Sequence, residues 1–416
     1  MRSRERNSES PDQKSHTPQD NMRTPKMVYC GSFRHFLILL MVLVLGLVSL
    51  GVLHLPQFKT EPKPYSWRID HGHRKLLHSF VRSVLMKECR PDFVRREMKT
   101  RFNHSNHVTD HFLWEDTPLT ASMFQYPPPF GFRDMRSKLT DIFDLLPGRT
   151  PQWHGRKPCQ RCVVVGNGGV LHGLALGPLI DQFDIVIRLN SGPVKNFSKD
   201  VGSHTTIRMS YPEGSPRTWD DVDSSLQFVV VIYKSVDFNW LKAMITHKQV
   251  SLWDWLFFWQ KVPDNIPIET SQFRILNPEI IREAALDLLH LPEPHPRLWG
   301  WDQNVPTIGI SALNLATYLC DEVNLAGFGY NLSQERAPLH YYDSLPMTSM
   351  LHQPMHNVDR EGALLRALAK AGVISDLTGG GPLQLLSQRR GQGSIMSCSQ
   401  QAPALLFTTC SWNCLE

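Results

Sequence analysis

The chain is 416 residues long, 41% hydrophobic and 20% charged, with a formal net charge of +5. That length and apolar content can bury one large core or two smaller ones. The mild positive charge tolerates an anionic ligand without demanding one. No dense Lys/Arg run with interleaved aromatics appears, which argues against a nucleic-acid partner.

Residues 1–35 are polar, carry both charges and have no apolar period, which reads as a disordered cytosolic tail. Residues 36–53 contain no charge and are just long enough to span a bilayer. A cleaved signal peptide fits less well, because the segment starts late, exceeds the usual apolar length and lacks a small-x-small exit. Basic residues flank both ends (Arg23, Lys26 and Arg34 before, Lys59, Lys63 and Arg68 after), so local charge does not orient the span. Sequons at Asn103, Asn196 and Asn331 favour a lumenal C-terminal part. The expectation is a type II signal anchor over 36–53, a Pro-containing stem over 54–84 and a globular domain over 85–381.

Within that domain, short strands are expected at Cys162–Val165, Asp184–Leu189, Thr205–Met209, Phe228–Ile232, Phe273–Leu276 and Glu322–Ala326. Helical patterns fall at Leu171–Gly177, Val236–Thr246, Pro278–Leu289, Ser311–Leu319 and Asp359–Ala371. Such alternation implies an α/β fold with a mostly parallel sheet flanked by helices. From 382 to 416 the chain turns to Gln, Ser, Arg and Gly, a divergent tail expected to be disordered and to play no part in catalysis.

The run Val163–Val165 enters Gly166-Asn167-Gly168-Gly169, where glycines allow close backbone approach, and suits an anion or nucleotide sugar at a sheet's carboxyl edge. An NAD-binding turn is disfavoured: Leu171 occupies the third glycine position, and Arg188 and Asn190 stand where an acidic ribose ligand belongs. Thr307-Ile308-Gly309 offers a hydroxyl and free N–H groups at a helix entrance, as a phosphate contact or a plain N-cap. Asp221-Val222-Asp223 matches the DxD pattern of metal-dependent glycosyltransferases but lies in a polar loop. Cys159-x-x-Cys162 could be half a zinc site or a redox pair, although no second CxxC completes a tetrahedral set. The eight cysteines otherwise suit an oxidising compartment, and sequence alone does not give their connectivity. The cluster Trp253, Trp255, Phe257, Phe258 and Trp259 reads either as an aid to a lipid-borne acceptor or as core packing.

Four ordered segments carry a resemblance. Cys162–Val170 continuing through Asp181–Asn190, then residues 306–330, then His340-Tyr341-Tyr342-Asp343, then His356 with Glu361, resemble the successive motifs of the animal sialyltransferases. The resemblance implies a Rossmann-like, GT-A-type variant fold behind an N-terminal transmembrane helix, in a single-pass Golgi protein. It implies donor contacts from Asn167, Asn190, Thr307, Gly309, Gly327 and Gly329, with His356 as general base and His340 as partner of the departing phosphate. Glu361 is expected to orient its neighbours. Val170 stands where many relatives carry a polar residue, so no side-chain contact is expected there. The same resemblance pairs Cys162 with Cys320 and Cys89 with Cys159.

The donor so implied is CMP-sialic acid, with no metal or other cofactor. Segments 234–241, 273–278 and 320–331 resemble members that act on the terminal galactose of lactosylceramide in the lumenal leaflet, giving ganglioside GM3. Glycoprotein N-acetyllactosamine is the alternative acceptor, and a non-catalytic, membrane-anchored lectin-like protein is the alternative of another class. Homo- or hetero-oligomers with other Golgi glycosyltransferases stay open.

Overall fold

The structure, a computed structural model, describes residues 30–53, 65, 69–149, 157–294, 304–329, 336–352 and 354–379. The chain divides into two compact units, 1–63 and 64–416. In the first, Cys30–Leu53 is a helix of 24 residues. Its described side chains, 36–49, are all exposed. Among the described residues no helix is long and apolar enough to cross a membrane. The expected span over 36–53 is seen as the apolar C-terminal part of the Cys30–Leu53 helix. The tail expected to be disordered over 1–35 is corrected at its end, where residues 30–35 form the first turns of this helix. Residues 1–29, the expected tail 382–416 with Cys398, Cys410 and Cys414, and Asn331 lie outside the described residues.

The second unit is built on eight strands: β1 (Phe112–Leu113), β2 (Arg161–Val165), β3 (Ile185–Leu189), β4 (Ile207–Ser210), β5 (Gln227–Val230), β6 (Phe273–Leu276), β7 (Glu322–Ala326) and β8 (Ile374–Asp376). They form one sheet in the order β1-β6-β5-β4-β3-β2-β7-β8. Every pairing is parallel except β1 with β6. A parallel sheet is covered on both faces, which explains unbroken apolar runs such as Val163–Val165 where an open sheet would alternate. Alternate residues serve opposite faces. Cys162 and Val164 join Ile310, Leu313 and Ile280 in one cluster. Val163 and Val165 join Leu77, Val81 and Ile180 in another. A third cluster covers β5 and β6 with Phe132, Phe238 and Trp240.

All six strands expected from the sequence form. The helix expected over Leu171–Gly177 does not. Gly173 and Ala175 take positive φ of 76° and 53°, and their amides donate to the Asp200 carboxylate at 2.8 Å each. A distant acid thus captures backbone N–H groups that a helix would have used. The pattern at Pro278–Leu289 resolves into an α-helix, Pro278–Glu283, followed by a π-turn, Ala284–Leu288.

The stretch 54–84 read as a stem also needs correction. From His71 to Met86 it is helical, capped by the Asp70 side chain on the His73 amide. Its buried residues Leu77, Val81 and Val84 recur at helical spacing, so the packed domain starts well before residue 85.

Candidate active site

Successive strands β2 to β6 are laid down in one direction from β2, while β7 and β8 lie on its other side. The chain order reverses between β2 and β7, and in open α/β sheets the crevice outside the carboxyl ends at such a point receives ligands. Gly166-Asn167-Gly168 leaves β2 at this crevice and Gly327-Phe328-Gly329 leaves β7. The two turns interlock: Gly166 N donates to Ala326 O at 2.8 Å and Gly168 N to Gly327 O at 3.0 Å. A Cβ on either Gly166 or Gly168 would stand 2.6 Å from Gly327 O. These glycines are therefore required first by backbone-on-backbone packing. Gly329 differs, being exposed, with φ +89° and nothing within 4 Å of an added Cβ.

Asn190 ends β3 with φ +52°. Its N–H donates to Met209 O at 2.9 Å, its carbonyl accepts from Arg208 Nη1 at 2.7 Å, and Ser210 Oγ donates to its Oδ1 at 3.3 Å. The Asn167 amide donates to Leu189 O at 3.2 Å, which brings the two asparagines onto adjacent strand ends. Arg208 is buried and ion-paired with buried Asp221. Thr205 Oγ1 also donates to that carboxylate. Asp223 accepts from Ser225 N, Ser225 Oγ and Leu226 N. Both acids of the DxD pattern are thus engaged in holding the β4 and β5 loops.

Thr307 caps the helix Ile308–Leu319 through its side chain, and Gly309 lies so close to Phe328 that a Cβ would stand 2.9 Å from that ring. The helix entrance therefore abuts the turn after β7. Glu361, from the helix Val358–Lys370, clamps the entrance. Its Oε1 accepts from Thr307 N at 2.7 Å and its Oε2 from Thr307 Oγ1 at 2.6 Å. Burial raises its pKa to about 7 against the lowering effect of these bonds. With Glu361 ionised, the Thr307 hydroxyl proton is committed to it, so toward a ligand this oxygen then accepts.

His356 reaches the same entrance. Its Nδ1 lies 2.8 Å from Val305 O. A carbonyl only accepts, so Nδ1 carries the proton and Nε2 of the neutral ring keeps its lone pair. Burial holds its pKa below the ordinary value, the Val305 bond opposing. His340 enters from the other flank, where it forms an antiparallel bridge with Gly168. Gly169 N donates to Leu339 O at 2.9 Å and Tyr341 N to Asn167 O at 3.1 Å. The His340 ring stacks on Tyr342, and its Nδ1–H donates to Asp343 Oδ2 at 2.7 Å. All six expected donor positions and both histidines thus lie on the turns after β2, β3 and β7, at the helix entrance beside them, or on segments bonded to these. The buried Arg208–Asp221 pair is not legible in the sequence, because a buried arginine leaves no periodic signal.

Both expected disulfides are present. Cys162–Cys320 joins β2 to the residue ending the Ile308–Leu319 helix, and Cys89–Cys159 joins the loop after the His71–Met86 helix to the loop entering β2. Cys159 and Cys162 therefore belong to different bridges, which removes the zinc and redox readings of that pair. Asn103 and Asn196 are exposed. Among the described residues one group could hold a metal ion, His104, Glu283 and Asp287; it borders the π-turn and contains neither DxD acid.

The chain belongs to glycosyltransferase family 29 (sialyltransferase), whose pattern matches residues 112–373. It is 49% identical over 314 residues to a human lactosylceramide alpha-2,3-sialyltransferase, covering 75% of each chain. The mouse protein of that name is 48% identical over 314 residues, 75% of this chain and 76% of its own. A human CMP-N-acetylneuraminate-beta-1,4-galactoside alpha-2,3-sialyltransferase is 40% identical over 294 residues, 70% of this chain and 77% of its own. A crystal structure of a mammalian sialyltransferase shares the fold, with a TM-score of 0.53 at 24% identity over 70% of this chain and 97% of that one.

Proposed function

We propose that this sialyltransferase moves sialic acid from CMP-sialic acid to the 3-hydroxyl of the terminal galactose of lactosylceramide, forming ganglioside GM3. The acceptor reading is supported by the 49% identity to a relative that bears this acceptor in its name. The observation that supports the chemistry is the Val305 bond to His356 Nδ1, which fixes the tautomer in which Nε2 is the proton-accepting nitrogen. The galactose O3 attacks the anomeric carbon as His356 Nε2 takes its proton. The bond from that carbon to the phosphate oxygen breaks, and CMP leaves with the electron pair. His340, oriented by Asp343, donates from Nε2 to the departing phosphate when protonated. A single displacement of this kind inverts the anomeric centre and needs no covalent enzyme intermediate.

Donor contacts come from Asn167, Asn190, Thr307, Gly309, Gly327 and Gly329, on a variant of the GT-A architecture, with no divalent metal. The prior commitment of Asp221 and Asp223 to other bonds supports that last point. The apolar helix around residues 36–49, continued to 53, anchors the chain in the Golgi membrane with the sheet domain in the lumen. Exposed Asn103 and Asn196 fit glycosylation there. Glycoprotein N-acetyllactosamine is the second reading, favoured by the 40% relative that names a β-1,4-galactoside. Assay of the purified chain with CMP-sialic acid and either lactosylceramide or an asialoglycoprotein decides between them. Preferential transfer to lactosylceramide is expected; preference for the glycoprotein would move the assignment to the second acceptor.

A further inference from the structure

The aromatic cluster left open by the sequence divides in the structure. Phe258 is buried, but Leu252, Trp253, Leu256, Phe257 and Trp259 expose 85%, 77%, 74%, 66% and 71% of their surface. Five large apolar side chains are exposed within eight residues, and soluble surfaces rarely carry such a concentration without a partner. The segment is held firmly. Ser251 Oγ accepts from Trp253 N, Phe258 sits beneath Lys234 at 4.8 Å from the ring centroid, and Gln260 Nε2 donates to Glu213 O. The one acid in the stretch, Asp254, accepts from Asn239 at 2.8 Å. Exposed Lys248 and Lys261 stand on either side of the patch.

We propose that residues 252–259 dock into the headgroup region of a lipid bilayer and hold the crevice beside its surface. Trp, Phe and Leu flanked by lysines, with no free acid among them, is the chemistry of an interfacial membrane element. The same chain carries the exposed apolar helix read as its anchor, which keeps a bilayer at high effective concentration. The patch also adjoins the site. Gln260 bonds Glu213, and the next residue, Gly214, packs so tightly on Asn190 that a Cβ would lie 2.6 Å from its Oδ1. Docking there places the end of β3 near the plane from which a glycolipid headgroup emerges. That consequence rests on the lactosylceramide reading; the docking itself does not.

The test uses the full chain reconstituted in phosphatidylcholine vesicles with or without bromine on the acyl chains. Leu252→Ser/Leu256→Ser/Phe257→Ser keeps all 11 tryptophans, and unchanged CMP affinity certifies its fold; Phe257→Ser alone serves if the triple variant misfolds. Fractional quenching of tryptophan emission by the brominated lipid is expected to fall at least twofold in the variant. The kcat/KM for lactosylceramide in the vesicle should drop roughly tenfold while that for a water-soluble β-lactoside stays unchanged. Unchanged quenching overturns docking, and so does a wild-type dimer in detergent that the variant splits without altering quenching, which assigns the patch to a second copy. Equal loss on both acceptors overturns the positioning role. If wild type transfers to neither acceptor yet shows the quenching difference, docking stands and the acceptor reading fails.

Discussion

Two side-chain pairs control what the crevice residues can do. Glu361 holds its proton more tightly folded than free, its pKa rising from 4.5 to about 7. The folded state therefore binds more protons across that window, and stability falls as pH rises from about 4.5 through about 7. Glu361→Gln keeps an acceptor for Thr307 N and an N–H for Thr307 Oγ1, so it should flatten this pH dependence, by on the order of 1–3 kcal/mol at the upper end. Urea unfolding at pH 5 and pH 7.5 measures it, and an unchanged slope would put the titration elsewhere. Asp221 bears on the DxD reading. With both partners buried, Asp221→Asn leaves Arg208 unpaired and should cost about 3–5 kcal/mol. Thermal unfolding should show that loss with no rescue by manganese, whereas a stable variant with a manganese-dependent defect would return the DxD acids to the active site. His340→Ala should weaken CMP binding by about tenfold, read by calorimetry. The motif histidines were legible because their neighbours mark them. The Thr307–Glu361 clamp spans 54 positions, so the glutamate's presence was readable but its partner was not.

Among the elements, the crevice is made where the turns after β2 and β7 meet, and its glycines differ in what they support. Gly327→Ala puts a Cβ 2.4 Å from Leu171 Cδ1 and 2.9 Å from Gly166 O at a φ of +74°. It should destabilise the fold by roughly 2–4 kcal/mol and abolish donor binding. Gly329→Ala, with open space around it, should cost only about 1 kcal/mol, from its left-handed backbone alone. Comparable melting temperatures for the two would refute the interlock. The strands were readable because β-branched apolar runs buried on both faces have few other uses. β1 and β8, two and three residues long, give no such signal. The lost helix at Leu171–Gly177 and the gained one at His71–Met86 share a cause: tertiary partners, Asp200 in one case and the cluster around Leu77 in the other, outweigh local propensity.

Across the whole molecule, the mostly parallel sheet reverses its chain order between β2 and β7, and the proposed donor site lies at the carboxyl ends of the strands there. The family was legible from four ordered motifs. The exposed patch at 252–259 was not, because a run of aromatics reads alike whether it faces a core or a membrane. Turnover should survive EDTA, since Asp221 is committed to Arg208, Asp223 to the amides of its own loop and Glu361 to Thr307. Loss of activity restored by manganese would point to His104, Glu283 and Asp287, the group with ligand atoms within 4.8 Å of one another. The central claim, a donor crevice served by His356 as base, is tested most directly by His356→Ala in parallel measurements of CMP affinity and of turnover with lactosylceramide. CMP affinity near that of wild type with turnover lower by roughly 10²–10⁴-fold is predicted. A folded variant that binds CMP and transfers at the wild-type rate would contradict it.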